Sequence, residues 1–178
     1  MRSPSNYTDD LRLAHILADS VDGLTMRRFK AQDLHVETKP DLTPVTDADR
    51  EAESVIRSQL GRVRNRDAVI GEEFGTSGSG SRKWVIDPID GTKNFVRGVP
   101  VWATLIGLVE DDQGVAGVVS AAGFDLTGGN YVLIQSGELG GPVLPEAPAF
   151  WIYPATQPLA RLLLGIWLLR VARNGEPA

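Results

Sequence analysis

The sequence predicts an α+β domain, because helix-type and strand-type apolar patterns occupy different parts of the chain. Apolar residues recur at helical spacing twice within the first 61 residues. Short apolar runs rich in Val and Ile follow from residue 69 to residue 121. The 178 residues, 42% hydrophobic and 23% charged, are enough for one ordinary core, so one domain is the prior expectation.

The first predicted helix begins at Thr8. Acidic residues occupy its first turn and basic residues follow near residue 28, where each sign suits the helix dipole. Apolar residues recur along one face of this helix, at Leu11, Ala14, Leu17, Val21 and Leu24. This spacing predicts an amphipathic helix packed on the core.

A second amphipathic helix is predicted after the structure-breaking prolines Pro40 and Pro44. It begins at Thr46 and is expected to stop at Gly61. Thr46 and Asp49 have the spacing of a variant capping box, which gives Asp49 a purely structural role.

Two apolar strand candidates are each followed by a pair of carboxylates. Val69 to Gly71 precedes Glu72 and Glu73, and Trp84 to Ile86 precedes Asp87 and Asp90. Three or four carboxylates could therefore converge at neighbouring strand ends. Hard divalent cations such as Mg²⁺ take oxygen ligands, so this convergence predicts a cation site.

Backbone breakers surround the aspartate pair. Pro88 and Gly91 are predicted to stop the strand, which would leave both aspartates on a fixed turn. Gly75 to Ser81 is predicted to be a flexible Gly/Ser loop. Asp-Pro and Asp-Gly are also ordinary turn dipeptides, so a turn without function is the alternative. Thr92 favours a site, since its hydroxyl and nearby backbone N–H groups could hold an oxyanion.

A predicted hairpin follows the aspartates. Val99 to Val109 is a near-continuous apolar strand candidate, and Val115 to Ser120 is its expected partner. An apolar strand of this kind implies burial on both faces. The acidic residues 110–112 between the strands are interpreted as a solvated hairpin tip rather than as a second metal loop.

The motifs Gly71-Glu72-Glu73 and WVIDPIDGTKNF, from Trp84 to Phe95, resemble the inositol monophosphatase family of Mg²⁺-dependent phosphomonoesterases. The longer run DPIDGTKNFVRGVPVWATLIGL resembles its actinobacterial histidinol-phosphatase branch. The resemblance covers about residues 8–121. It implies the N-terminal portion of a layered α/β/α/β/α sandwich, with the C-terminal half missing or replaced.

This resemblance implies roles for individual residues. Mg²⁺ ligands would be the carboxylates of Glu72, Asp87 and Asp90 and the backbone carbonyl of Ile89. Substrate contacts would come from Asp90, from Gly91 and from Thr92.

The same resemblance implies the catalytic groups. Asp49 would accept a hydrogen bond from Thr92, and the two together would orient and activate the attacking water. Glu72 completes the catalytic set. This interpretation of Asp49 competes with its capping role, although one side chain at a helix start could serve both.

The composition changes beyond Ala121. Six of the 11 prolines lie in the last 57 residues. The apolar segment Leu159 to Ala172 is predicted to be a short helix, since it falls below the roughly 20 residues of a membrane span. The family's Trp-Asp metal motif is not found at any tryptophan, namely Trp84, Trp102, Trp151 or Trp167. We therefore expect a phosphatase portion over residues 1–121 and a non-matching tail over residues 122–178, from truncation, fusion or a shifted frame.

Two functional hypotheses follow. The first is a Mg²⁺-dependent phosphatase of a small phosphorylated substrate, with histidinol phosphate favoured and inositol monophosphate second. The second is an inactive truncated fragment or interaction module. The net charge of -5 and the pI near 5.0 argue against a nucleic-acid partner.

Location and association are predicted from weaker signals. The chain has no Cys and no apolar N-terminal signal, so the cytoplasm is the expected location. The tail offers little cover for the apolar strands, so we expect exposed apolar surface and a homodimer or higher oligomer.

Overall fold

The computed structural model describes residues 7–124 and 131–135, with the backbone alone for 124 and 131–135. Its helices and strands, in chain order, are α1 (Thr8–Arg28), β1 (Val36–Thr38), β2 (Pro44–Thr46), α2 (Asp47–Val63), β3 (Ala68–Gly71), β4 (Gly75–Ser77), β5 (Arg82–Asp90), α3 (Thr92–Val96), β6 (Ala103–Glu110), β7 (Gln113–Ser120) and β8 (Tyr131–Gln135). A short 3-10 turn, Ala122–Phe124, follows β7.

Six strands form one mixed sheet in the order β4-β3-β5-β6-β7-β8. β3 and β5 pair in parallel, and the other neighbours pair antiparallel. Parallel strands end at the same edge, so the carboxylates that follow β3 and those at the end of β5 meet there. β1 and β2 form a separate two-stranded hairpin.

Helices α1 and α2 cover one face of the sheet, which confirms the predicted α+β class. Leu17 and Val21 of α1 and Ile56 and Leu60 of α2 are fully buried in one cluster with Trp84 of β5. Each such side chain contributes about 1.5–3 kcal/mol by leaving water. The amphipathic patterns of both helices are therefore what fixes them to the sheet.

The opposite face of the sheet is also buried. Val85 and Val109 form a second cluster with Ile70, on the side away from Trp84 because side chains alternate along a strand. The predicted burial of both strand faces is confirmed. The expected exposure of apolar surface on β6 and β7 is wrong for the described residues, since Leu105 and Val119 are buried as well.

Helix α2 continues past Gly61, where the sequence predicted its end. It ends at Val63, and the N–H of Arg64 closes the last turn on the carbonyl of Leu60 at 2.7 Å. Gly costs only about 1 kcal/mol in a helix interior relative to Ala, which the buried face of this helix outweighs.

Strand β5 also runs further than predicted. It includes Asp87 and Pro88 and ends at Asp90, so Asp87 lies in a strand rather than on a turn. The pairing with β6 shifts register between Asp87 and Asp90. Such an irregularity accommodates a proline that has no N–H to donate. The Pro88 carbonyl accepts a hydrogen bond from the Thr104 hydroxyl at 2.8 Å.

Two other strand boundaries differ from the prediction. The supposed Gly/Ser loop contains β4, whose three residues pair antiparallel with β3. β6 begins at Ala103 rather than Val99. The hairpin tip falls at Asp111 and Asp112, both with positive φ.

Among the described residues, none of the helices combines the length and the apolar character needed to cross a membrane. The predicted short helix over 159–172 and most of the proposed tail lie outside those residues.

Candidate functional site

A cavity of about 190 Å³ opens where β3 and β5 end. The β1–β2 hairpin and the start of α3 supply the remaining wall. The residues lining the cavity are Thr43, Pro44, Glu72, Asp87, Ile89, Asp90, Gly91, Thr92 and Lys93. The structure thus brings Glu72, Asp87, Ile89, Asp90, Gly91 and Thr92 together, as the sequence predicted.

Asp87 is the buried centre of the acidic group. Its Oδ1 has no hydrogen-bond partner among the described residues. Burial raises the pKa of Asp87 well above its usual value, and the charges of Glu72 and Asp90 and a hydrogen-bond contact with the Glu72 carboxyl raise it further. A carboxylate held in this way is stabilised either by a proton or by a cation.

Asp90 ends β5 at the mouth of the cavity. Desolvation and the nearby Glu72 charge raise its pKa. Asp90 is more exposed than Asp87, so solvent screens these effects more strongly. Between the two aspartates, the Ile89 side chain is buried in the core while its carbonyl accepts a hydrogen bond from the Thr92 hydroxyl at 2.9 Å.

Glu72 lies opposite the aspartates and is held by a lysine. The Lys39 ammonium contacts one oxygen of Glu72 and one of Glu73, each at 2.8 Å. Burial opposes the charged lysine, but hydrogen bonds to both glutamates outweigh it and raise the pKa of Lys39. Burial has the opposite effect on a carboxyl group and raises the pKa of Glu73, although the hydrogen bond and the charge of Lys39 lower it.

These residues fit a divalent cation in the chemistry of their donors. The unpartnered Asp87 oxygen, two further carboxylates and a backbone carbonyl are the oxygen ligands that Mg²⁺ prefers. Within the described part of the chain, no three Asp, Glu or His side chains already surround one point as a metal shell would. Lys39 engages Glu72, so a cation competes with this ammonium for the carboxylate.

Asp49 is the third residue of α2 and completes a capping box in which Thr46 is the N-cap residue. Its Oδ2 accepts hydrogen bonds from the N–H of Thr46 at 2.8 Å and from the Thr46 hydroxyl at 2.5 Å. Its Oδ1 is 3.3 Å from the Thr92 hydroxyl. Burial raises the pKa of Asp49 to about 6, although the Thr46 hydrogen bonds oppose the shift. The capping box and the Thr92 contact therefore coexist.

Helix α3 places Thr92, and an aromatic cluster holds this helix in the fold. The Phe95 ring meets the Trp102 ring edge-on at 5.1 Å and lies 5.5 Å from the Phe29 ring. Gly91 caps α3 with φ of 93°, and a Cβ there would meet the Val101 carbonyl oxygen at 3.1 Å. A glycine is thus required where the chain turns from strand into helix.

Sequence reasoning assigned no role to three residues that the structure places at or behind the site. Lys93 lines the cavity, Lys39 pairs with Glu72, and Glu53 is a fully buried carboxylate behind the Glu72 turn. One signal for Glu53 was available. Asp49, Glu53 and Arg57 recur every four residues and so share one face of α2.

Comparisons with known proteins give a family match over most of the chain. The model of the inositol monophosphatase family matches residues 9–132. The match therefore continues past residue 121 and reaches β8, which pairs with β7.

Two relatives are histidinol-phosphatases. The one from Streptomyces coelicolor is 66% identical over 120 residues, which are 65% of this chain and 45% of that protein. The one from Mycobacterium tuberculosis is 64% identical over 114 residues, which are 64% of this chain and 44% of that protein. The chain thus spans about half the length of the curated relatives it matches.

A solved structure with a similar fold is the IMPase of Thermotoga maritima. It has a TM-score of 0.66 and 32% sequence identity, and the match covers 73% of this chain and 49% of that one. The α+β arrangement of the described residues is therefore the fold seen in that protein.

Proposed function

The chain belongs to the inositol monophosphatase family, and from this premise we propose that its cavity is the cation and phosphate site of a Mg²⁺-dependent phosphomonoesterase. One observation carries the proposal. The buried Asp87 Oδ1 has no hydrogen-bond partner among the described residues, and Asp87 lines a cavity together with Glu72 and Asp90. A buried carboxylate of this kind is costly unless a proton or a cation neutralises it, and the cavity beside it leaves room for a cation.

Glu72, Asp87, Asp90 and the Ile89 carbonyl would hold Mg²⁺. When bound, the metal supplies charge stabilisation for phosphate oxygens and makes a water more acidic. Gly91 and Thr92, at the turn into α3, would contact the phosphate. These roles rest on the residues that line the cavity.

Thr92 and Asp49 would orient the attacking water. The Thr92 hydroxyl has two acceptors within reach, the Ile89 carbonyl at 2.9 Å and Asp49 Oδ1 at 3.3 Å. When the Thr92 hydroxyl donates its hydrogen bond to Asp49, the lone pairs of the hydroxyl oxygen are free to accept a hydrogen bond from water. Asp49, with a pKa of about 6, is largely ionised at neutral pH and can act as that acceptor.

The substrate we propose is histidinol phosphate. Its support is that the two relatives at 66% and 64% identity are histidinol-phosphatases. Inositol monophosphate is the second candidate, supported by the fold shared with the Thermotoga enzyme. The division into residues 1–121 and 122–178, a cytoplasmic location and self-association stay predictions.

The test measures Mg²⁺ binding by calorimetry and phosphate release from both substrates, with and without a chelator. We expect Mg²⁺ to bind and phosphate release to stop when the chelator is added. We also expect phosphate release to be faster from histidinol phosphate than from inositol monophosphate. The matched control is Asp67→Asn, which alters a carboxylate outside the cavity that accepts a hydrogen bond from the Trp84 indole. A folded protein that binds no Mg²⁺ and releases no phosphate would instead support the interaction-module hypothesis.

A further inference from the structure

We propose that Glu53 is a positioning residue for the cation site, because its buried carboxylate fixes the turn that carries Glu72. The inference rests on the proposed function of that site. Glu53 itself lines no part of the cavity, and it acts only through the backbone of residues 72–74.

The Glu53 side chain is fully buried and collects three donors. Its Oε2 accepts the N–H of Glu73 at 2.7 Å, and its Oε1 accepts the N–H of Phe74 at 3.2 Å. Arg57, one helical turn later on α2, donates Nε–H to Oε1 at 2.7 Å and balances the charge. Each of these hydrogen bonds is charge-assisted, because the acceptor is a carboxylate, and such bonds hold their donors rigidly.

The chain also leaves space for this carboxylate. A Cβ built on Gly71 would lie 1.9 Å from Glu53 Oε1 and 2.3 Å from its Cδ. The carboxylate therefore lies against the bare backbone at the end of β3. Any other residue at position 71 would push it away from the turn.

Glu72 is fixed from both sides as a result. Its own N–H donates to the Ile86 carbonyl of β5 at 3.2 Å, and the next N–H along the chain, that of Glu73, donates to Glu53. With both flanking peptide groups held, the Cα–Cβ bond of Glu72 has one direction, toward Asp87. Groups that orient a metal ligand in this way typically contribute about 10–100-fold in metal affinity or activity.

A purely structural role for Glu53 predicts a different result. In that case its loss would lower stability and leave the metal affinity of the folded protein unchanged. Asp10 offers a matched comparison, since it is a buried carboxylate paired with Arg64 and Arg82, each at 3.0 Å, and lies outside the cavity.

The experiment titrates the full chain with Mn²⁺ and with Mg²⁺ by calorimetry, comparing the unsubstituted protein, Glu53→Gln and Asp10→Asn. Amide hydrogen exchange at Glu73 and Phe74 is followed without metal. Glu53→Gln keeps the length of the side chain but presents an NH₂ group to a site that offers only donors. We expect its metal affinity to fall about 10–100-fold and exchange at both amides to quicken. Asp10→Asn should change neither quantity.

Glu53→Asp carries the test if Glu53→Gln does not fold. The aspartate retains the charge next to Arg57 but is one methylene too short for the Glu73 and Phe74 amides, so we expect weaker metal binding here too. Unchanged metal affinity in a folded Glu53 variant overturns this inference and leaves the proposed function intact. Equal losses in Asp10→Asn overturn it as well. If the unsubstituted chain binds neither metal, both this inference and the proposed function fail.

Discussion

Asp49→Asn is expected to flatten the pH dependence of stability while abolishing any phosphatase activity. Burial raises the folded-state pKa of Asp49 from 3.8 to about 6. A raised carboxyl pKa means that the folded state prefers the protonated form. This contribution to stability is therefore complete below about pH 4 and is lost as pH rises through about 6. At about 1.4 kcal/mol per pKa unit, the loss is about 3 kcal/mol.

The structure also explains why activity should be lost although Asn has the same shape. If the Asn oxygen accepts the two Thr46 hydrogen bonds, its NH₂ group faces the Thr92 hydroxyl. The Thr92 hydroxyl then donates its hydrogen bond only to the Ile89 carbonyl, whose oxygen is already 2.9 Å away. The water would lose the oriented acceptor that the proposed mechanism requires.

The assay is urea unfolding followed by Trp fluorescence, in chelator, at about pH 4 and about pH 7.5. Between these values the free energy of unfolding of the unsubstituted chain should fall by about 3 kcal/mol more than that of Asp49→Asn. Glu51→Gln, which alters an exposed carboxylate on the same helix, is the control and should behave as the unsubstituted chain does. Equal pH slopes for Asp49→Asn and the unsubstituted chain would refute the reasoning.

Three further predictions concern single residues. Asp87→Asn and Asp90→Asn should each weaken Mg²⁺ binding in calorimetry, since each removes a charged oxygen from a hard cation; unchanged affinity in both would mean that this segment has no metal-binding role. Thr92→Ala should lower phosphate release about 100-fold with little change in metal affinity, whereas Thr92→Ser should retain activity; parallel losses of both quantities would indicate a structural role. Gly71→Ala should destabilise the fold by about 1–3 kcal/mol in urea unfolding, because its Cβ overlaps the Glu53 carboxylate, and a neutral effect would contradict that packing.

The sequence was most informative where local chemistry decides structure. The apolar spacing of α1 predicted the helix, and two apolar runs followed by acids predicted carboxylates at strand ends, because these features depend on near neighbours in the chain. The carboxylates converge because β3 and β5 pair in parallel. Boundaries were less predictable. Whether Gly61 ends a helix, or Pro88 ends a strand, depends on burial and on pairing with β6, which local sequence does not contain.

Long-range polar partners were the hardest to predict. Lys39 reaches Glu72 across 33 positions, and Glu53 reaches the Glu73 amide across 20. Neither contact has a local signature, since each exists only after the hairpin and α2 have packed beside β3. The helical spacing of Glu53 and Arg57 signalled a shared face, but not what that face would hold.

Arg57 has a further consequence, for aggregation. β4 is the edge strand next to β3 and is fully exposed, and Phe74 beside it is 53% exposed. Exposed edge strands with neighbouring apolar side chains are templates for pairing with a second chain. Arg57 donates hydrogen bonds to the Ser77 hydroxyl at 2.8 Å and to the Gly75 carbonyl, a backbone acceptor of β4, so it places a bulky cation against this strand. The arginine that balances Glu53 inside the protein therefore also shields a strand from intermolecular β-pairing.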